Sequence, residues 1–203
     1  VLTLAAAGWG FSAGVASLAV DPGVTRTAQD ATYATGGVAA LAWFFLVVEY
    51  AGYDEWHRPE VVAVAAALVV TDVVSLVTNP SHHLYVTEAS RVTPAGLFDP
   101  TPGPLLWVHA AWKFGAVLLG AALLVRRDGN SQGVIGLQSV AILVTGLLPP
   151  VAATVELLDV VTIPGFDFGV VGVAAASAFL LWALFYADFL DVVPIARETM
   201  LAS

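Results

Sequence analysis

Six long apolar segments separated by short polar stretches dominate the pattern of hydrophobic positions along the chain. Each segment is close to the roughly 20 apolar residues that an α-helix needs to cross a bilayer. The pattern therefore predicts six membrane-spanning helices, over residues 1–20, 31–53, 60–78, 104–125, 133–154 and 166–190. We interpret residues 1–190 as one transmembrane bundle of an all-α fold and residues 191–203 as a connector.

Proline and charged residues mark the predicted helix ends. A polar stretch over residues 21–30 follows the first apolar segment, and the charged turn at 54–58 follows the second, where Pro59 is suited to open a helix. Pro80 disfavours helix at the residue before it, so the third helix is expected to end there. The longest connection, residues 81–103, is predicted as a loop with room for a short hairpin.

Composition strengthens the membrane interpretation. Hydrophobic residues make up 59% of the chain and charged residues 11%, whereas globular domains carry about 25% charged residues. The net charge of -9 argues against nucleic acid as a partner, because phosphate binding needs clustered Lys and Arg. The absence of cysteine excludes disulfides and thiolate metal sites. An acidic chain with one lysine also fits a salt-loving microbe, where salt screens carboxylate repulsion.

The arginines predict the orientation of the bundle. Four of them fall on one side of the predicted helices, against Arg26 and Arg91 on the other. The four are Arg58, Arg126, Arg127 and Arg197. By the positive-inside rule, that side is expected to be cytoplasmic and to include the C-terminus. The 81–103 loop is then expected to face outward from the cell membrane.

Two charged residues interrupt the apolar segments and are the first candidates for a site. A charge at the centre of a span costs about 2.5 to 3.5 kcal/mol, so Asp72 and Lys113 need partners or water. From the helix rise they lie about 9 and 13 Å in from the outer helix ends, and they are expected to meet. His109 shares a helix face with Lys113. The pattern allows two interpretations of these residues. Asp72 and Lys113 form an ion pair that only holds two helices together, or the three residues line a ligand pocket that opens outward.

Further polar residues are expected near either end of the bundle. The predicted pocket also includes Asn79, His82, His83 and Glu156. Adjacent histidines seldom point at one ion, so we predict loop packing for them and no metal site. Glu49 and Tyr50 are predicted at the cytoplasmic end, as an interfacial anchor or an output switch. We identify no catalytic set, and the pattern names no cofactor.

Three motifs resemble the N-terminal seven-helix sensor region of microbial, haloarchaeal-type histidine kinases. They are an aromatic helix ending in Glu-Tyr at residues 43–52, an Asn-Pro-Ser-His exit at 79–85, and a Pro-x-Ala-Arg segment within 188–199. The resemblance implies signal input for a cytoplasmic kinase or similar module, with Pro194 and Arg197 in the output connector and any catalysis elsewhere. It also implies a homodimer, and a first helix that precedes the six predicted here.

Two other classes of protein remain as alternatives. A small-solute transporter or channel would need a polar path through both halves of the bundle, and the inner halves are apolar except at Glu49. A rhodopsin-like photoreceptor would resemble microbial rhodopsins, which carry the retinal lysine in the last helix. The last predicted helix, residues 166–190, contains no lysine.

Overall fold

The computed structural model describes residues 1–92, 98–130, 137–158 and 168–186. In these ranges the chain is a helix bundle, which confirms the all-α prediction. The elements are α1 (Leu2–Leu18), α2 (Pro22–Ala51), a 3₁₀ turn (Asp54–His57), α3 (Pro59–Val77), α4 (Asn79–His82), β1 (Arg91–Val92), β2 (Phe98–Asp99), α5 (Pro104–Asn130), α6 (Leu137–Leu157) and α7 (Phe168–Tyr186). We call the end of the bundle that carries residues 78–92 and 98–103 the loop end and the end that carries Asp54–His57 the turn end.

Helix α2 is longer than the hydrophobic pattern predicted. It begins at Pro22 and not near residue 31, because Asp21 caps it by accepting a 2.9 Å hydrogen bond from the Val24 backbone N–H. Proline at the first helical position supports this start. An ion pair of 3.3 Å between Arg26 and Asp30, one turn apart, adds to it. The polar stretch is therefore the first part of a helix.

Among the residues that the structure describes, three helical segments are long and apolar enough to cross a membrane, namely Pro22–Ala51, Pro59–Val77 and Pro104–Arg127. Leu2–Leu18 and Ser139–Val155 are shorter apolar helices. Within Pro59–Val77 only 11% of the apolar stretch is buried. Apolar surface of this extent is what lipid tails cover.

Trp43 joins three helices in the half of the bundle nearer the turn end. Its indole N–H donates a 3.1 Å hydrogen bond to the Ile142 carbonyl of α6. A Cβ at Gly120 of α5 would lie 2.7 Å from the indole, and a Cβ at Gly146 of α6 would overlap it. Glycine at both positions therefore makes room for Trp43, and small residues let helices approach closely in membranes.

Helix α6 continues through Pro149 and Pro150 to Leu157, so the two prolines do not end it. Helix α7 packs closely against this segment at Gly172, where a Cβ would lie 2.7 Å from the Ala152 Cβ and 3.1 Å from the Pro149 Cα. Because proline cannot donate a backbone hydrogen bond, the segment depends on such packing for support.

Candidate functional site

A buried carboxylate, imidazole and phenol meet near the loop end. Oδ2 of Asp72 on α3 lies 2.7 Å from Nδ1 of His109 on α5. The Tyr85 hydroxyl, in the segment after α4, donates a 3.2 Å hydrogen bond to Oδ1 of the same carboxylate. Exposed fractions are 7% for Asp72, 1% for His109 and 0% for Tyr85. We call these three residues the polar cluster, and it ties two helices to the segment that covers them.

Tyr85 acts in the cluster as a neutral donor. Burial and the neighbouring Asp72 carboxylate both raise the pKa of Tyr85 above its ordinary value. A phenolate there would lie buried beside another negative charge, which is unfavourable. The hydroxyl therefore keeps its proton and points it at Asp72.

His109 carries an unused hydrogen-bonding atom. A neutral imidazole that donates its Nδ1 proton to a carboxylate presents Nε2 as an acceptor. Nε2 of His109 is buried and has no hydrogen-bond partner among the described residues. Leaving a buried polar atom unpaired costs about 1 to 3 kcal/mol.

Aromatic rings enclose His109 on several sides. Ring centroids of Tyr33, Tyr85 and Trp112 lie 6.2, 5.9 and 5.4 Å from the His109 centroid. Gly37 of α2 permits this packing, because a Cβ there would lie 2.9 Å from Trp112 and 3.4 Å from His109 Cε1. The imidazole is thereby held between α2 and α3.

Asn79 positions Tyr85 and does not face an open pocket. Its Nδ2 donates a 2.9 Å hydrogen bond to the Val86 carbonyl. Its Oδ1 accepts hydrogen bonds from the backbone N–H groups of Tyr85 at 2.8 Å and Val86 at 3.2 Å. All polar atoms of this buried amide are thus used to fold the segment that carries the phenol.

His82 and His83 pack in the loop and point at different partners. His82 accepts a 3.0 Å hydrogen bond at Nδ1 from the Leu84 N–H, and its Nε2 lies 3.1 Å from the Thr78 hydroxyl. His83 adopts a left-handed backbone conformation with φ of 53° and places Nε2 3.3 Å from Glu88. Both arrangements fit the predicted loop-packing role.

A short hairpin packs beside Tyr85 of the polar cluster. Strands β1 and β2 are antiparallel and carry an Arg91–Asp99 ion pair of 3.2 Å. Phe98 of β2 packs on an apolar group of Leu76, Tyr85, Val86 and Leu106. The Arg26 guanidinium lies 5.1 Å from the Phe98 ring centroid, a cation–π contact that fastens the hairpin to α2.

The expected Asp72–Lys113 ion pair is not formed. His109 and Tyr85 occupy the Asp72 carboxylate. The Lys113 ammonium lies instead 5.9 Å from the Phe114 ring centroid and pairs with no carboxylate in the part of the chain that the structure describes. His109, one turn closer to the loop end than Lys113, contacts the Asp72 carboxylate in place of the predicted lysine.

Contacts at the turn end connect α2 to its neighbours. Glu49 lies 3.5 Å from His57 in the 3₁₀ turn, so it reaches the charged turn as expected. The Arg127 guanidinium of α5 lies 4.5 Å from the Tyr50 ring centroid. The Glu156 side chain, Pro194 and Arg197 lie outside the described parts of the structure.

One protein-family model matches residues 1–194 of the chain, and the family is described as the N-terminal 7TM region of histidine kinase. No curated protein and no solved structure matches the chain.

Proposed function

Since the chain belongs to the family of N-terminal seven-transmembrane regions of histidine kinases, we propose that it detects a signal at the loop end and transmits it across the membrane. A region of this kind is a membrane-embedded sensory input part and carries no catalytic activity of its own.

The observation that carries the proposal is the polar cluster beside the hairpin. Tyr85 belongs to the covering segment, whereas Asp72 and His109 belong to helices. Moving the hairpin withdraws the phenol and leaves a buried carboxylate with one partner fewer, which changes the free energy of the α3–α5 contact. A signal that displaces the hairpin therefore favours a second arrangement of these helices.

Helices α2 and α5 supply a path to the turn end. They are in contact near the loop end through Gly37 and Trp112, midway through Trp43 and Gly120, and at the turn end through Tyr50 and Arg127. We infer that α2 and α5 move as one unit. Helix α3, which is mostly exposed, is then the element that shifts against them when the polar cluster changes.

We infer that the loop end is extracellular and that the turn end and C-terminus are cytoplasmic. Arg58, Arg126 and Arg127 lie at the turn end, against Arg26 and Arg91 at the loop end, in keeping with the positive-inside rule. In this orientation Pro194 and Arg197 lead toward a cytoplasmic kinase module. We further propose a homodimer, as is usual for kinases of this kind.

The test is autophosphorylation of the full-length protein in proteoliposomes. Tyr85→Phe removes the donor to Asp72 and keeps the ring, so basal autophosphorylation should change severalfold. Tyr53→Phe near the turn end is the matched control and should behave as wild type. If both variants match wild type in basal and stimulated activity, the polar cluster does not transmit the signal.

A further inference from the structure

The polar cluster contains a basic atom that the folded chain leaves unpaired. Among the described residues, two buried side-chain polar atoms lack a hydrogen-bond partner, the Thr87 hydroxyl and Nε2 of His109. Only the second belongs to a group whose charge changes near neutral pH. Since Nδ1 of His109 lies 2.7 Å from Asp72 and donates its proton there, Nε2 keeps a lone pair that nothing in the described bundle uses.

The packing around this atom limits what can bind to it. His109 is 1% exposed, and the rings of Tyr33, Tyr85 and Trp112 lie within 6.2 Å of its ring, centroid to centroid. A Cβ at Gly37 would already lie 3.4 Å from Cε1, the carbon bonded to Nε2. A proton is the ligand that such a site takes up without displacing a ring.

We propose that the signal is the extracellular proton and that it binds at Nε2 of His109. The inference rests on the proposed function of the polar cluster and names the ligand of that cluster. The proton comes from water at the loop end and binds to the Nε2 lone pair. One N–H bond forms, the neutral imidazole becomes an imidazolium, and the cluster gains one positive charge.

The groups that face His109 favour different charges on the ring. The Asp72 carboxylate attracts an added positive charge. Lys113, four residues along the same helix, interacts with His109 through its own charge and repels it. The two nearby phenols add no charge while they keep their protons. By element, the titratable groups around the ring are Tyr33 of α2, Asp72 of α3, Tyr85 in the segment after α4 and Lys113 of α5.

A proton on Nε2 makes the described arrangement less favourable. It converts an unpaired acceptor into a charged donor, and the described residues offer this donor no acceptor. An unpaired charged group costs more to bury than a neutral one. Water at the loop end can accept the hydrogen bond once the hairpin and Tyr85 move aside. Because the arrangement that binds the proton more strongly grows as pH falls, acid outside the cell favours release of the hairpin.

The first test observes the proton directly. Solid-state NMR of the full-length protein in liposomes, labelled with ¹⁵N at histidine, distinguishes a bare from a protonated ring nitrogen. The signals of His109 are those that disappear in His109→Asn. Between about pH 8 and about pH 5, the interval in which imidazoles titrate, Nε2 should change from bare to protonated while Nδ1 keeps its proton. A bare Nε2 at both values would overturn the proposal.

The second test links the proton to signalling through autophosphorylation of the full-length protein in proteoliposomes. The pH at the loop end is varied and the kinase side is kept at constant pH. Wild-type activity should change severalfold between about pH 8 and about pH 5. His109→Asn retains a donor for Asp72 and cannot take up the proton, so the response should disappear. An unresponsive wild type would overturn the proposal, as would a wild-type response in His109→Asn.

A loop-end histidine outside the cluster provides the matched control. His83 has a left-handed backbone that asparagine tolerates, so His83→Asn should fold and keep the full response to pH. Loss of the response in this variant would move the proton to His83 and overturn the assignment. Tyr85→Phe separates this inference from the proposed function, because altered basal activity in that variant supports the role of the polar cluster whatever the response to pH.

Discussion

The contact between Asp72 and His109 is expected to show strong energetic coupling. Replacing His109 by Phe leaves the carboxylate, 7% exposed, with Tyr85 as its remaining donor. Replacing Asp72 by Leu leaves the His109 and Tyr85 donors without their acceptor. Each single change should destabilise the protein by about 2 to 4 kcal/mol, the order found when one partner of a buried charged pair is removed.

The double variant, with Asp72→Leu and His109→Phe together, should cost clearly less than the sum of the two single changes. Ordinary interhelical hydrogen bonds in membranes couple by about 0.6 kcal/mol on average and about 1.7 at most. A buried hydrogen bond between imidazole and carboxyl groups as short as 2.7 Å should exceed that upper value. A coupling above about 1.7 kcal/mol therefore distinguishes a hydrogen bond to a charged group from a hydrogen bond between neutral groups.

The assay is reversible unfolding in mixed micelles, followed by tryptophan fluorescence. The chain contains six tryptophans, and neither substitution removes one. The wild type, the two single variants and the double variant together form a double-mutant cycle. Additive effects within about 0.5 kcal/mol would show that the two side chains are neighbours without a shared interaction, and the reasoning about the polar cluster would fail.

Three other predictions concern packing, the loop and orientation. Gly146→Ala should destabilise the protein by about 1 to 3 kcal/mol through overpacking, whereas Gly115→Ala, with open space around it, should be neutral or stabilising in the same unfolding assay. Asn79→Ala should speed amide hydrogen exchange in the segment after α4, and unchanged exchange would contradict its role there. Because the chain lacks cysteine, Glu88→Cys should react with an impermeant maleimide on intact cells and Glu55→Cys only after lysis; the reverse pattern would invert the proposed orientation.

The pattern of long apolar segments was sufficient to predict the long helices in the described residues, since a helix needs about 20 apolar residues to cross a bilayer. It misplaced the start of α2, because capping by Asp21 and the Arg26–Asp30 pair make a polar stretch helical. A pattern of hydrophobic positions cannot reveal such local contacts between polar side chains. The hydrophobic pattern therefore predicts that a helix is present, whereas the residue at which it begins or ends depends on particular side-chain contacts.

Two residues of the polar cluster, Asp72 and His109, were candidates from the sequence, but their pairing with each other was not predicted. Asp72, His109 and Lys113 were each identified from their charge within apolar segments, and depth alone allowed either base to reach Asp72. The rotation of α5 about its axis decides whether His109 or Lys113, one turn apart, reaches Asp72. The packing of Gly37 against Trp112 and His109 fixes that rotation. Tyr85 was missed as a partner, although the Asn79 motif that positions it was visible in the sequence.

The attachment of α3 explains why the polar cluster suits a sensor. Its buried residues are Ala65, Asp72 and Leu76, and its exposed valines gain nothing by leaving lipid for another apolar helix. Hydrogen bonds to the Asp72 carboxylate therefore supply much of what fixes α3 against the bundle. Unlike a large packed interface, such a contact is removed when Tyr85 or His109 moves by a short distance, because hydrogen bonds weaken steeply with geometry. A helix held in this way can respond to a small displacement of the hairpin, which is what signal input requires.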